Sequence, residues 1–198
     1  LPLGSLRSLT IRYSNLSLWM EQIRVIGSKL LEITVKDRTR RLPIINTIIK
    51  YCPYLEKLSM DCMVDITKNN HLESIANKSS YLRVLYVRYL NYISSTEADA
   101  ALTAFAGKCP RLEELSRYCR YSTDQSVIAL AQHCSRLKKL TFSGLSITPA
   151  SLIALSERGL PLEELDIPSI PIPSAEIAAQ CDHALSRIRK LPTYSYEQ

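Results

Sequence analysis

One apolar pattern, Leu-x-x-Leu-x-apolar, recurs along this chain and constrains its fold more than any other feature. It reads Leu6, Leu9 and Ile11, then Leu30, Ile33 and Val35, then Leu55, Leu58 and Met60. Leu82, Leu85 and Val87 follow, as do Leu137, Leu140 and Phe142, and Leu162, Leu165 and Ile167. A further copy, Leu112 and Leu115, carries Arg117 in the third apolar slot. The first leucines of the seven copies are 24, 25, 27, 30, 25 and 25 residues apart. Apolar residues at alternate positions make a short strand with one greasy face. A unit this small cannot bury that face alone, so successive units must stack.

Between the strands the sequence predicts helices. Leu16–Ser28 places Leu18, Trp19, Ile23 and Ile26 at helical spacing, and Pro43 opens Ile44–Tyr51 at a position that suits proline. His71–Ser80 follows. Thr96–Lys108 has Thr96 as N-cap with Asp99 at the capping-box position. Thr123–His133 turns Val127, Ile128, Leu130 and Ala131 inward. Thr148-Pro149 opens Ala150–Ser156, with Gly159 placed to stop it. Ser174–Leu185 reads as a last helix. Strand, loop, helix, loop, repeated about seven times at this period, predicts an α/β fold: a right-handed leucine-rich-repeat solenoid, a horseshoe segment with a parallel concave sheet and convex helices. One domain over residues 1–191 suffices, with 192–198 as a frayed tail. The chain starts Leu-Pro-Leu, almost inside a repeat, and is expected to be a fragment of a longer protein.

Composition narrows the class. The 198 residues carry a formal net charge of +6, with 14 Lys or Arg against 9 Asp or Glu in residues 1–99 and 11 against 10 in residues 100–198. The basic excess in the first half admits an acidic partner without requiring one. No apolar run is long enough to span a membrane. Of the six cysteines, Cys52, Cys109 and Cys134 share one slot just before the first leucine of a repeat, which marks a packing position. None of the six forms a C-x-x-C pair, so zinc-ribbon spacing is absent; reduced thiols point to an intracellular protein, cytoplasmic or nuclear.

The preceding Cys, the Leu-x-x-Leu-x-apolar strand and a following Ile-Thr or variant make a composite motif. Ile66-Thr67, Ile93-Ser94 and Ile147-Thr148 occupy that last slot, and Thr123-Asp124 stands there in the fifth unit. With these residues the chain resembles the cysteine-containing leucine-rich repeats of F-box-and-LRR proteins, which are ribonuclease-inhibitor-like in fold. The resemblance covers about residues 6–185. It departs from that pattern where the family often has a second Cys after the strand, since Met63, Leu90, Arg120 and Leu145 stand here. The resemblance implies the substrate-recognition module of an SCF ubiquitin ligase, joined to Skp and cullin components through sequence outside these residues.

The variable strand positions face the concave side in such a fold, and that is where a protein or peptide partner is expected. Tyr86, Arg88, Tyr89, Tyr92, Glu114, Tyr118 and Tyr121 gather in the fourth and fifth units, and tyrosine and arginine dominate binding hot spots. The 30-residue step from Leu82 to Leu112 is read as the longest loop, following the fourth strand. Arg117 implies either a one-residue strand shift or a core that opens to admit it. A secondary basic patch, Lys36, Arg38, Arg40 and Arg41, follows the second strand; without interleaved aromatics it argues against nucleic acid as the partner.

Catalysis finds no support. His71, His133 and His183 lie on separate predicted helices, there is no Gly-x-Ser-x-Gly, and five glycines form no phosphate-cradling loop. No cofactor or metal is expected. Two functions of different class follow: a noncatalytic protein-interaction scaffold recognising substrates for an F-box-type ligase, or a structural subunit of a large intracellular complex with no role in ubiquitination. A lesser third is an effector or sensor fragment that recognises a foreign ligand.

Overall fold

The computed structural model describes residues 5–12, 16–36, 43–61, 71–90, 94–119, 122–143 and 146–167. The predicted helix at 174–185 and the tail at 192–198 lie outside them. Among the described residues seven strands alternate with six helices: β1 Ser8–Arg12, α1 Leu16–Ile26, β2 Glu32–Lys36, α2 Pro43–Tyr51, β3 Lys57–Met60, α3 His71–Lys78, β4 Val84–Leu90, α4 Ser95–Ala106, β5 Glu114–Cys119, α5 Asp124–His133, β6 Lys139–Ser143, α6 Pro149–Glu157 and β7 Glu164–Asp166. A 3-10 turn, Gly27–Lys29, closes α1. The strands form one all-parallel sheet in strict chain order, each paired only with its sequence neighbours, an arrangement compatible with a repeat solenoid.

The register follows the apolar pattern without slippage. Leu9 aligns with Ile33, Ile33 with Leu58, Leu58 with Leu85, Leu85 with Leu115, Leu115 with Leu140 and Leu140 with Leu165. All seven are buried, as are the first leucines from Leu30 to Leu162; Leu6, in the first unit, is half-buried. A one-residue slip would turn this whole row to solvent, which is why the register is firmly set.

A backbone fork also recurs at each strand start. The Arg7 carbonyl accepts from the amides of Leu31 (2.8 Å) and Glu32 (3.0 Å), and the carbonyls of Leu31, Glu56, Arg83, Glu113 and Lys138 do the same for the next unit. Each unit thereby satisfies polar groups that its neighbour presents.

Helix starts are tied across units as well. Asp99 of α4 is buried and accepts from the Thr123 amide (3.0 Å), the Thr123 hydroxyl (2.6 Å) and the Ser126 hydroxyl. One unit on, Asp124 accepts from the Thr148 amide (2.8 Å), the Thr148 hydroxyl (2.5 Å) and the Ser151 hydroxyl (2.5 Å). Thr123 and Thr148 are themselves the N-caps of α5 and α6, accepting from the Gln125 and Ala150 amides. Asp99 therefore does not cap its own helix, as its spacing from Thr96 predicts. That cap is Ser94, in a reciprocal box with Glu97. A glutamate at N3 reaches back to the cap amide, which the shorter aspartate does less well.

Two more expectations need correction, and the register narrows the two alternatives for Arg117 to one. The extra residues of the 30-residue unit do not lengthen the loop after β4. Only residues 91–94 separate β4 from α4; the strand has 7 residues, the helix 12, and the connection from α4 to β5 takes 107–113. Arg117 is not shifted out of line: it aligns between Val87 and Phe142, both buried. The irregularity is instead a bulge in β4 between Val87 and Leu90. Leu18, finally, is 56% exposed on α1, where Ile23 and Ile26 are buried and Trp19 is half-buried against the core.

The cysteine slot is a packing column, as its recurrence suggests. Cys52, Cys109 and Cys134 are free and buried. The Cys134 thiol lies 3.9 Å from the Ala106 carbonyl and 3.8 Å from that of Cys109, a weak donor facing the end of the preceding helix. Burial pushes each thiol up to about 12, so all three stay protonated and inert near neutrality. In the second unit the slot holds Gly27, where an added Cβ would sit 2.5 Å from the Tyr51 carbonyl oxygen and 3.1 Å from the Cys52 sulfur. Gly159, in the last unit, adopts φ 60° and ends α6, as expected. Gly27→Ala is expected to cost about 1–3 kcal/mol by overpacking against backbone. Gly107→Ala, where the nearest atom to the new Cβ is 3.7 Å away, should change stability by less than about 1 kcal/mol. Urea denaturation of the two variants measures the contrast.

Candidate protein-binding face

Alternation along each strand leaves the residues between the buried rows on the accessible face of the sheet. The parallel register arranges them in rows. One runs Ser8, Glu32, Lys57, Val84, Glu114, Lys139 and Glu164; the next runs Thr10, Thr34, Ser59, Tyr86, Ser116, Thr141 and Asp166. The second row is built of short side chains except at Tyr86. That ring is half-buried and flanked in register by Ser59 and Ser116, which are too small to cover it. An amphipathic aromatic raised above small polar neighbours is the kind of anchor that protein surfaces use.

The other expected site residues are placed less completely. Arg88 and Tyr89 belong to β4 and Tyr118 to β5, where it aligns with Ser143, but their side chains lie outside the described part of the structure. Tyr92 and Tyr121 lie outside the described residues altogether. The β4 bulge bears on this group directly. Strict alternation would put Arg88 on the face of Tyr86, but one extra residue changes the parity of whatever follows it.

Glu114 is described and half-buried, and it is not a free charge. Its carboxylate lies 3.8 Å from the Lys139 ammonium, which lies 3.4 Å from Glu164 in turn. Glu114, then Glu164, holds the Lys139 amine above its ordinary value. Of the secondary basic patch, Lys36 is exposed at the end of β2, and Arg38, Arg40 and Arg41 lie outside the described residues.

A second charge ladder runs one position earlier, on the residues whose carbonyls make the backbone fork. Arg83 lies 3.6 Å from Glu56 and 2.9 Å from Glu113, and Lys138 lies 3.1 Å from the other oxygen of Glu113. Glu113 is the centre: its side chain is 17% exposed and held by cations on both sides. Hydrogen bonds from Arg83 and then Lys138 lower its carboxyl from 4.5 to about 2. The sign follows directly. A group with a depressed folded value stabilises above its unfolded value, and the contribution fades as pH falls through the folded one. The melting temperatures of wild type and Glu113→Gln should therefore differ most above pH 4.5 and converge as pH approaches about 2. Thermal melts across that window check it, and an unchanging gap would show that the carboxylate charge is not what matters.

Two features escaped sequence reading. The Asp99 and Asp124 ties span units, so neither is visible in any one helix. An exposed row just before the first leucines was also missed. It contains Tyr54 and Tyr81, with ring centroids 5.8 Å apart, and Arg111, whose guanidinium lies 5.0 Å from the Tyr81 centroid. Reading that column of the repeat down the sequence would have found it.

Among the described residues, no three His, Cys, Asp or Glu side chains gather where they could hold a metal ion. His71 is buried with its Nε2 3.1 Å from the Asn46 side-chain oxygen, and His133 is exposed at the end of α5. No helix among the described residues is long and apolar enough to cross a membrane. No protein-family model matches this chain, and no curated protein matches it.

Proposed function

We propose that this chain is a noncatalytic leucine-rich-repeat scaffold that binds a protein or peptide on the accessible, concave face of its sheet. The observation that carries the reading is Tyr86, raised between Ser59 and Ser116 in an otherwise small, hydroxyl-rich row. The buried strand rows and the cysteine column are spent on stacking, so the face residues are the ones at liberty to vary with a partner. The resemblance of the repeats to those of F-box-and-LRR proteins supports a more specific role, substrate recognition in an SCF-type ubiquitin ligase. The buried, free thiols at 52, 109 and 134 support an intracellular setting, cytoplasmic or nuclear.

Affinity purification of the full-length protein from its own cells, read by mass spectrometry, tests the role. Skp and cullin components should co-purify. Their absence would sink the ligase reading and leave the structural subunit, whose neighbours would be recovered instead. The face is tested separately with whichever partner is recovered. Tyr86→Ala combined with Arg88→Ala should weaken binding about tenfold or more, the size expected of a hot spot, with the melting temperature nearly unchanged. An equal loss of stability would make the pair structural.

A further inference from the structure

Because the strands are parallel and in chain order, every helix-to-strand connection lies along the same edge of the sheet. That edge gathers charge. Residues 27–31, 52–56, 79–83, 107–113, 134–138 and 158–163 carry seven Lys or Arg against three Glu, and Lys50 and Lys78 add to it from the last turns of α2 and α3. Two of those glutamates, Glu56 and Glu113, are already engaged by Arg83 and Lys138. By contrast, among the described residues Lys29, Lys78, Arg111, Arg136 and Arg158 form no ion pair, and all five are exposed.

The outermost positions of this edge form a row in register: Lys29, Tyr54, Tyr81, Arg111 and Arg136, each immediately before the first leucine of its unit. Tyr54 is 52% and Tyr81 41% exposed, two of the four large apolar side chains most open to solvent among the described residues. Their rings pack against each other at a tilt of 58°, and the Arg111 guanidinium lies over Tyr81, so two aromatics and a cation adjoin in the middle of the row.

We infer that this edge is a second docking surface, one that takes an extended acidic peptide segment. Unneutralised cations call for carboxylates, and arginine can grip a carboxylate with two parallel hydrogen bonds. The tyrosines between them supply apolar contact area. Five rows at a strand spacing of about 4.8 Å span about 19 Å, which an extended segment of about six residues covers. Nucleic acid fits less well. Single strands bind by stacking bases on open ring faces, and Tyr81 is already covered by Arg111 and packed by Tyr54. Glu56, Glu113 and Glu163, one step inward, would also repel an unbroken run of phosphates, whereas a peptide can space its carboxylates around them.

The test is fluorescence polarisation with a fluorescein-labelled peptide of alternating glutamate and serine, titrated with the whole protein. The peptide should bind, more weakly as salt rises. Arg111→Glu with Arg136→Glu should lower the affinity about a hundredfold, taking about tenfold for each reversed charge. Arg111→Gln with Arg136→Gln should lower it less, and serves if the reversed pair fails to fold, as judged by circular dichroism. Lys36→Glu, at the opposite edge of the sheet, and Tyr86→Ala, on its face, should leave the affinity unchanged, so failure here is separable from failure of the proposed binding face. Absence of peptide binding overturns the inference, as does an affinity untouched by the Arg111 and Arg136 variants. An equal loss with Lys36→Glu would also overturn it, by showing attraction to net charge alone. Tighter binding of oligo-dT, lost in the same variants, would replace the peptide with nucleic acid.

Discussion

Burial of the repeated leucines between neighbouring units is what everything else depends on. Each strand contributes an apolar row that its own unit cannot cover, and the rows from Leu9 to Leu165 lie in continuous register. Burying one such aliphatic side chain is worth roughly 1.5–3 kcal/mol. An exposed ion pair contributes about 0.2–1 kcal/mol. The stack therefore holds by leucine, and the charge ladders through Glu113 and Lys139 trim it. Their alternating signs do something more useful: they penalise any register that would bring like charges opposite each other.

The hydrogen-bond ties have the same one-dimensional character. The strand-start fork, the Cys134 thiol and the Asp99 and Asp124 carboxylates all reach exactly one unit away along the chain, 24 to 28 residues in sequence for the side-chain bonds. A fold built of nearest-neighbour ties confines the structural work of its accessible face and edge to the charge ladders there. Tyr86 on the face and the Tyr54, Tyr81 and Arg111 strip on the edge lie outside those ladders, and they carry different chemistry. The first offers one raised aromatic in a polar row; the second offers cations in series.

Most of the element order was legible because one slot pattern is written many times over. Strand positions, the opening prolines of α2 and α6, the Thr148 start of α6 and the Gly159 stop are each local signals. The misreadings share a cause. Thr96 lost the cap of α4 to Ser94 because Glu97 completed a better box two residues earlier. The long fourth unit was assigned to a loop because sequence length does not say whether extra residues extend a strand, a helix or the turn between them. The facing of Arg88 rests on strict alternation along the strand, and the bulge in β4 between Val87 and Leu90 falls where that count is applied.

By itself the sequence determined the period, the strand-and-helix alternation and the buried column of cysteines, because each is enforced within a unit and repeated. It determined the net charge of +6 but assigned the excess to the first half of the chain. Only the tertiary structure decided where that charge acts. Parallel stacking brings residues about 25 positions apart into adjacent rows, so scattered lysines and arginines become one edge, and Glu114 becomes a rung of a ladder. Neighbourhood across units is a property of the stack, and no single unit contains it.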